Sequence, residues 1–291
     1  MNTQPLYKTL AIFGVGLIGG SVSLALKAAG QTGVVLGVGR NQDALQEAVE
    51  LGVITSAVTP QEAAREADVI LLATPVGQFP EILRSIKPFL RPDVVITDAG
   101  STKGDVAAAA REALGDLLPR FVPAHPIAGA EKSGVAAARA ELFTGKNVVL
   151  TPLAETAPDA LVKADALWRA CGANVAHMST ETHDAIFAAV SHLPHVLAFA
   201  LVAEIAYRPN AEQLFGFCAG GFRDFTRIAG SSPEMWRDIS LHNRDALLQE
   251  MQAYQGRLSE IVEALERNDG AALEALFTCA REARSRWLVK N

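Results

Sequence analysis

The sequence predicts an α/β protein in which a doubly wound parallel sheet is followed by an all-helical segment. From residue 9 to about residue 176, short apolar β-branched runs alternate with amphipathic stretches of helical period. A glycine-rich turn directly follows the first of these runs. After Met178 the strand patterns stop, and the rest of the sequence has helical periodicity. These three observations predict the fold class.

Five segments have the nearly continuous apolar pattern of parallel strands that are covered on both faces. They are residues 10–15, 34–38, 69–74, 94–98 and 148–151. The helices between them have recognisable ends: Thr59, Pro60 and Glu62 form a capping-box pattern, and Gly52 is typical of a helix stop. We therefore predict two domains, one of residues 1–177 that contains the sheet and one of residues 178–291 that is helical.

The helical segment contains stretches that are apolar on more than one face, notably around residues 185–206. Such helices must be buried against another surface, so we predict a homodimer formed through this segment. The same stretch is apolar enough to suggest a membrane span, but two histidines, a proline and Glu204 within it would need partners in lipid. We therefore expect a buried core helix there and no membrane partner.

Composition and charge exclude several classes of partner. Hydrophobic residues make up 49% and charged residues 20% of the chain, which is typical of a globular protein rather than a disordered one. A formal charge of -6 argues against a surface that binds nucleic acid or anionic membranes. Cys171, Cys218 and Cys279 have no metal-type spacing, so we expect buried thiols in a reducing cytoplasm. The N-terminus has no pattern of a signal peptide.

Residues 14–19, the glycine loop, form a G-x-G-x-x-G motif between the first strand and the first helix. Gly14 permits a tight turn, Gly16 lets the backbone approach a pyrophosphate, and Gly19 allows the helix to pack closely on the strand. The helix N-terminus, with Leu17 and Ile18, adds free N–H groups for the phosphates. The motif therefore predicts a Rossmann-type dinucleotide-binding domain and a redox enzyme.

The end of the second strand bears on the choice between NAD and NADP. NAD-binding proteins place Asp or Glu there to bind the ribose 2′-hydroxyl, whereas an arginine accommodates a 2′-phosphate. Here the sequence is Gly39-Arg40-Asn41, without an acidic residue. We therefore favour NADP, with Arg40 and Asn41 facing the phosphate. The alternative is that Arg40 stacks on the adenine of NAD.

Ligands of open α/β sheets bind outside the carboxyl ends of the strands. Two further strands end there, one before Thr74-Pro75 and one before Gly100-Ser101. We expect Thr74, Pro75 and Gly100 to let a nicotinamide approach the backbone, and Ser101 and Lys103 to face the cleft. The Ser101 hydroxyl could also cap the following helix.

A histidine in the next block is the best candidate for a catalytic base. His125 comes after a short apolar strand and before a loop of Pro and Gly, and a histidine placed there could accept a proton near neutral pH. His183, further along the chain, is expected at the surface or in a hinge.

Five blocks occur in the order FGVGLIGGS, DAGSTK, HPIAGAEKSG, SHLPH and FRDFTRIAGSSPEMW. Together they resemble the TyrA family, the prephenate and arogenate dehydrogenases of tyrosine biosynthesis, over nearly the whole chain. The resemblance implies that the C4 carbinol of a cyclohexadienyl substrate transfers a hydride to NAD(P)+ while the C1 carboxylate leaves as CO2. Aromatisation of the ring then supplies the driving force.

The resemblance also implies roles for individual residues. His125 matches the histidine that hydrogen-bonds the ring hydroxyl, and Ser101 matches the serine that orients this pair. Arg227 matches an arginine that binds a substrate carboxylate, for which a guanidinium fork is well shaped. His195 matches a second histidine of the site, which Asp224 would hold in one tautomer. The residues implied to bind or border the substrate are Arg227, His195, Asp224, Glu131 and Trp236.

Simpler interpretations of some of these residues stay open. His192 and His195 could bind a metal with Asp184, although no third close ligand has suitable spacing. His192 could equally be a packing residue. Asp224 and Arg227 are spaced i, i+3 and could form only a helix ion pair.

Other functions are also alternatives. A β-hydroxyacid dehydrogenase would share the general plan but needs a lysine in the helical domain, and no lysine lies between Lys163 and Lys290. A non-catalytic NADP sensor would need the glycine loop but not the other site residues. Between the two substrates, Ala130 offers neither donor nor acceptor to the group that distinguishes them, so we expect an enzyme that accepts both.

Overall fold

The computed structural model describes residues 5–130 and 132–290. The strands in this part of the chain are β1 Tyr7–Phe13, β2 Thr32–Val38, β3 Ser56–Ala57, β4 Val69–Leu72, β5 Val95–Asp98, β6 Phe121–Val122, β7 Ala124–Pro126, β8 Asn147–Leu150 and β9 Asn174–His177. The α-helices are α1 Leu17–Ala28, α2 Gln42–Glu50, α3 Pro60–Glu66, α4 Phe79–Ile86, α5 Gly104–Leu114, α6 Pro158–Ala170, α7 Thr180–Phe187, α8 Leu193–Ala206, α9 Ala211–Gly216, α10 Gly220–Thr226, α11 Pro233–His242, α12 Arg244–Glu266 and α13 Gly270–Lys290.

Six strands form one sheet in the order β3-β2-β1-β4-β5-β6, and all its pairings are parallel. This arrangement confirms the predicted doubly wound sheet with helices after it. The chain adds strands on one side of β1 and then on the other. Such a switch point opens a crevice at the carboxyl ends of β1 and β4, where ligands of this fold bind.

Side chains of the central strands alternate between two apolar cores, one on each face of the sheet. In β1, Leu10 and Ile12 belong to one core, whereas Ala11 and Phe13 belong to the other. All four are buried. Burial on both faces explains why the strands are continuous apolar runs in the sequence.

A second sheet, β7-β8-β9, holds the remaining strands, with β7 antiparallel to β8 and β8 parallel to β9. The expectation that residues 148–151 join the doubly wound sheet is therefore wrong. The change of sheet falls at Pro123, between β6 and β7, because proline has no N–H to donate to a ladder. The Pro123 carbonyl instead accepts a hydrogen bond from the Thr151 N–H at 2.9 Å.

The run Thr180–Ala206 contains α7, a π-helical turn Ala188–His192 and α8. Pro194 cannot donate the backbone hydrogen bond of a regular helix, and the π turn just before it accommodates this loss. The run is long and apolar enough to cross a membrane, with a mean hydropathy of 1.9, although a core helix of a soluble protein meets the same criteria. Only 28% of its most apolar window is buried. Within the single chain the run is thus only partly covered, and the expectation that it is a buried helix stays a prediction that depends on a partner surface.

The chain divides into two compact units, Met1–Arg244 and Asp245–Asn291. The second unit contains most of α12 and all of α13, and it exposes large apolar side chains that include Leu258, Val262 and Phe277. The predicted domain boundary after residue 177 stays a prediction. It falls where β9 ends, and the elements described after β9 are helical.

The three cysteines occupy different environments. Cys171 is buried, and burial raises the pKa of its thiol to about 12. Cys218 and Cys279 are exposed. The expectation of buried thiols is therefore wrong for two of the three, because Cys218 lies in the connection between α9 and α10 and Cys279 on an exposed face of α13.

Candidate functional site

The glycine loop lies at the carboxyl end of β1. The reason why glycine is needed differs from one of its positions to the next. Gly14 has a φ of 94°, and a Cβ there would lie 2.6 Å from the Ala73 carbonyl oxygen, so the turn requires glycine. A Cβ at Gly19 would lie 2.4 Å from the Gly14 carbonyl oxygen. At Gly16 a Cβ would meet no neighbouring atom within 4 Å, and its φ of -108° suits any residue. Packing within the chain therefore does not require Gly16, whereas the open space in front of it fits a pyrophosphate.

Leu17 and Ile18 begin α1 directly after this open space. Their side chains are partly buried against the core, so the backbone of the helix end is what faces outward. The first N–H groups of an α-helix have no partner within the helix, and the helix dipole favours a negative charge beside them. The loop and helix end together can therefore hold the phosphates of a dinucleotide.

The end of β2 lies beside the glycine loop, because the Gly14 N–H donates to the Val38 carbonyl at 2.9 Å. Arg40 and Asn41 follow β2 after a single residue, Gly39, and both are exposed. The Asn41 Oδ1 accepts from the Ala44 N–H at 3.1 Å and thereby caps α2. Arg40 is thus the side chain of this pair that can reach toward a ligand, while Asn41 is held as a helix cap.

The segments after β4 and β5 contain the residues expected beside a nicotinamide. Thr74, which is partly buried, and Pro75, which is exposed, follow β4 after a single residue, Ala73. Gly100 is buried, and a Cβ there would lie 2.9 Å from the Asp98 Oδ2. The Gly100 N–H also donates to that oxygen at 2.7 Å. Packing on the Asp98 carboxylate therefore already requires glycine at position 100, whether or not a cofactor contacts it.

Ser101 is half-buried between β5 and α5. It is not the cap of α5, because the N-cap residue is Lys103. No hydrogen bond from Ser101 is found within residues 5–130 and 132–290, so its role toward His125 and a substrate stays a prediction.

Lys103 does not face the cleft, contrary to expectation. It is completely buried, and its Nζ donates to the Asp98 carboxylate and, at 2.8 Å, to the Ala124 carbonyl. The Asp98 Oδ1 accepts from the Ala124 N–H at 2.9 Å. This buried pair thus binds both backbone polar groups of the residue before His125, and it fixes β7 at the end of β5.

His125 is the middle residue of β7 and is in register with Val149 of β8. Its Nδ1 lies 2.8 Å from the Nε2 of His183, whose Nδ1 lies 2.8 Å from the Oδ1 of Asp184. We call His125, His183 and Asp184 the histidine chain. The His125 Nε2 has no hydrogen bond within the described part of the protein and is not among its buried unpartnered atoms. That nitrogen is therefore open to a ligand.

Burial holds the pKa of His125 well below its usual value. Charges on His183, Lys103 and His192 lower it further. Burial also lowers the pKa of His183, against the opposing effect of its hydrogen bond to Asp184. Burial alone would raise the pKa of Asp184, but the hydrogen bond from His183 and those from two backbone N–H groups bring it below its usual value. His125 is thus a neutral imidazole that can accept a proton.

The expectation that His183 lies at the surface or in a hinge is wrong, because it is completely buried. Its sequence position gives no indication of this role, since it is 58 residues from His125. The fold brings the two together by placing α7 beside β7. A pattern of residues on one helix could not have revealed that contact.

A cluster of aromatic rings connects α8 and the π turn to α11. The His195 ring stacks on Trp236 with centroids 3.7 Å apart, and His192 meets the same tryptophan edge-on. The His195 Nδ1 donates to the Ser191 carbonyl at 2.8 Å, which fixes its tautomer. The prediction that Asp224 fixes this tautomer is wrong, because the backbone one helical turn earlier does so. Burial lowers the pKa of His195.

His192 is buried, and its Nδ1 lies 3.1 Å from the Asn243 Nδ2, which also donates to the Asp184 carbonyl. The His192 Nδ1 therefore accepts, and its Nε2 carries a proton with no described partner. Burial lowers the pKa of His192 to about 4. Among the residues that the structure describes, no group of three or more possible ligands could hold a metal ion.

Two further predicted residues, Asp224 and Arg227, lie at the end of α10 and directly after it. Asp224 and Arg227 are both exposed. No ion pair of Asp224 occurs within the described ranges, so the interpretation as a helix ion pair has no support. Arg227 is near enough to His195 to lower the pKa of that histidine further. Trp236 is buried, and Glu131 lies outside the described residues.

Two family models match the chain. The model described as the nucleotide-binding domain of prephenate dehydrogenase matches residues 22–177. The model described as the dimerization domain of prephenate dehydrogenase matches residues 179–279. The two matches together cover most of the chain, in the order of its sheet and helical parts.

Individual proteins are similar over nearly the same span. A prephenate dehydrogenase of Bacillus subtilis is 37% identical over 95% of this chain and 75% of its own length. A cyclohexadienyl dehydrogenase of Zymomonas mobilis is 36% identical over 96% of this chain and 95% of its own length. A solved structure of prephenate dehydrogenase from Aquifex aeolicus, in complex with hydroxyphenyl propionate and NAD+, has a TM-score of 0.88 at 36% identity and covers 98% of both chains.

Proposed function

The chain belongs to the prephenate dehydrogenase family, and we propose that it oxidatively decarboxylates prephenate, arogenate or both with NAD(P)+. The products would be 4-hydroxyphenylpyruvate from prephenate and tyrosine from arogenate. The observation that carries the proposal is the neutral His125, with one ring nitrogen bound to His183 and the other open to a ligand. A sensor of the cofactor would not need such a base.

The proposed reaction balances with His125 as a temporary proton carrier. The Nε2 of His125 takes the proton of the C4 hydroxyl as the carbinol becomes a carbonyl. The nicotinamide, when bound beside the segments after β4 and β5, would supply the acceptor for the hydride of C4. The bond from C1 to the carboxylate then breaks and CO2 departs. The electron pair of that bond stays with the ring and makes it aromatic. The proton held by His125 returns to the phenol oxygen, so no net proton is consumed.

Substrate carboxylates need cationic or donor groups outside the ring pocket. We propose Arg227 for this role, because its exposed guanidinium can bind a carboxylate with two hydrogen bonds. His195 and Trp236, stacked on each other, would form the adjoining wall, and Trp236 has a buried Nε1 with no described partner. Glu131, Asp224 and Ser101 complete the proposed substrate site.

For the cofactor we propose NADP in preference to NAD. Arg40 is exposed at the end of β2, beside the loop that would hold the pyrophosphate, and no acidic residue stands there for a ribose hydroxyl. The cofactor site would comprise Gly14, Gly16, Leu17, Ile18, Gly19, Arg40, Asn41, Thr74, Pro75 and Gly100. The specificity constants kcat/KM for NADP+ and NAD+ test the preference, and a clear preference for NAD+ would overturn it.

We also propose that the chain works as a cytoplasmic homodimer. Residues 1–177 would bind the dinucleotide, and residues 178–291 would complete the substrate site and hold the two protomers together. The poorly buried apolar run Thr180–Ala206 and the exposed apolar side chains of α12 and α13 are suited to a partner protomer. Light scattering at micromolar concentration should give twice the mass of the chain, and a monomer would contradict the proposal.

The assay that tests the function compares prephenate with arogenate as substrates. We expect both to reduce the cofactor, seen as absorbance at about 340 nm, because Ala130 offers neither a donor for the keto group nor an acceptor for the amino group. Turnover of neither substrate would overturn the proposed function. Turnover of one substrate alone would overturn the relaxed specificity and leave the reaction in place.

A further inference from the structure

We propose that His183 and Asp184 are positioning residues that hold His125 in the tautomer able to accept the substrate proton. The inference rests on the proposed function, because that function assigns His125 as the base. The two hydrogen bonds of the histidine chain are both 2.8 Å long. Which atom donates in each of them determines where the ring protons lie.

The direction of the hydrogen bonds begins at Asp184. Its Oδ1 accepts from the Lys103 backbone N–H at 2.9 Å, and its Oδ2 accepts from the Gly104 N–H at 2.8 Å. These N–H groups lie at the N-terminus of α5, where the helix dipole favours an anion. A carboxylate held by two backbone donors can only accept from a third group, so the Nδ1 of His183 carries a proton.

The tautomer of His125 follows from that of His183. A neutral His183 with a proton on Nδ1 has a lone pair on Nε2. That lone pair accepts from the Nδ1–H of His125, which leaves the lone pair of His125 on the open Nε2. The other tautomer of His125 would place two lone pairs opposite each other across 2.8 Å and is therefore disfavoured.

The surroundings strengthen this control. Phe187 packs against both rings, with centroids 4.8 Å from His125 and 4.4 Å from His183. His183 is completely buried, so water cannot replace it as a partner of His125. Hydrogen bonds in such a low-dielectric setting are stronger than in water, and the Asp184 charge can stabilise His125 when it becomes protonated.

Two substitutions of His183 separate hydrogen bonding from packing. His183→Gln keeps an oxygen acceptor for the His125 Nδ1–H, whereas His183→Phe keeps an aromatic ring of similar size but has no acceptor. We expect His183→Gln to stay within about threefold of the wild-type kcat and His183→Phe to lose about tenfold, with KM little changed in both. The reverse order, or no loss in His183→Phe, would overturn the proposal.

Asp184→Asn provides a second variant in case the His183 substitutions disturb the fold. An amide has only one acceptor oxygen, so it leaves either the Lys103 or the Gly104 backbone N–H without its acceptor. It also removes the negative charge that stabilises a protonated His125, so the hold on the His183 and His125 tautomers weakens. We expect a larger loss of kcat than in His183→Gln, with cofactor binding intact as the check on folding. Wild-type kcat in Asp184→Asn would contradict the proposal. The exposed His177→Gln serves as the matched control and should leave kcat unchanged.

Nitrogen NMR of the histidine rings tests the tautomer without any activity measurement. Resonances of His125 are assigned by their loss in His125→Asn. We expect an unprotonated Nε2 in the wild type and in His183→Gln, and a mixture of tautomers in His183→Phe. A protonated Nε2 in the wild type would overturn the positioning role. Absence of turnover by the wild type would instead overturn the proposed function, so the two failures are distinguishable.

Discussion

The glycine loop and the histidine chain are both shaped to contact a ligand. They differ in whether that shape follows from local sequence or from the tertiary fold. The loop is six consecutive residues between β1 and α1, and its shape follows from local backbone requirements such as the φ of 94° at Gly14. The histidine chain joins β7 to α7 across 58 residues, and its shape depends on tertiary packing. A local motif can therefore be recognised from sequence, whereas the polar partners of a catalytic side chain can be found only from the fold.

The two regions also differ in electrostatics. The glycine loop contains no titratable side chain and would bind phosphate through backbone dipoles. Around the histidine chain, burial lowers the pKa values of four histidines. The loop should therefore work alike over a wide pH range, while the histidine region should govern the response to acid.

The largest effect is expected from removal of the proposed base. His125→Asn should lower kcat by about 10²–10⁴, the usual contribution of a positioned acid–base group, and leave cofactor KM nearly unchanged. The exposed His177→Asn is the control and should behave as the wild type. Steady-state kinetics with both variants check this. Near-normal turnover in His125→Asn would contradict the assignment of His125 as the catalytic base.

Acid should weaken the histidine region through His192, whose pKa lies at about 4 in the folded chain against 6.5 ordinarily. The unfolded chain then binds a proton first, so stability present above pH 6.5 is lost as the pH falls toward 4. Over this whole pH range the loss of unfolding free energy from His192 is about 3 kcal/mol.

His192→Gln should therefore reduce the decline of the unfolding free energy between pH 6.5 and pH 4. Urea titrations at several pH values and one protein concentration measure this slope, and the value at pH 8 corrects for any change unrelated to titration. An unchanged slope in His192→Gln would show that other groups cause the acid response.

Removal of the proposed carboxylate-binding group should act on substrate and not on cofactor. Arg227→Ala should raise KM for prephenate by about 10–10², because a charge-assisted hydrogen bond contributes about 1.5–3 kcal/mol. Arg84→Ala, which removes an exposed ion pair with Glu112, is the control. An effect of Arg227→Ala confined to the cofactor KM would place this arginine elsewhere.

The smallest expected effect separates two glycines of the loop. Gly16→Ala should fold with the wild-type Tm but raise cofactor KM about tenfold, because its Cβ meets only the space proposed for the pyrophosphate. Gly14→Ala should instead destabilise the fold by about 1–3 kcal/mol, because of its positive φ and the contact with Ala73. Calorimetry without cofactor and cofactor titrations distinguish them. Equal behaviour of the two variants would refute this division.

The sequence allowed correct prediction of the parallel sheet, because continuous apolar strands, caps and the glycine loop are local patterns. The second sheet was not predicted, since it depends on one proline at position 123 that moves β7 out of the main sheet. Lys103 was expected in the cleft because it follows the carboxyl end of a strand, but Asp98 supplies a buried partner that spacing alone does not reveal. The tautomer of His195 was assigned to Asp224, whereas the nearer Ser191 carbonyl fixes it.

The central claim is that hydride transfer and loss of the ring carboxylate occur in one reaction at a site where His125 takes the proton. Prephenate labelled with carbon-13 in its C1 carboxylate tests this most directly. We predict equal amounts of labelled CO2, reduced cofactor and 4-hydroxyphenylpyruvate, all falling together in His125→Asn. Reduced cofactor without labelled CO2, or CO2 release that His125→Asn leaves unchanged, would contradict the claim.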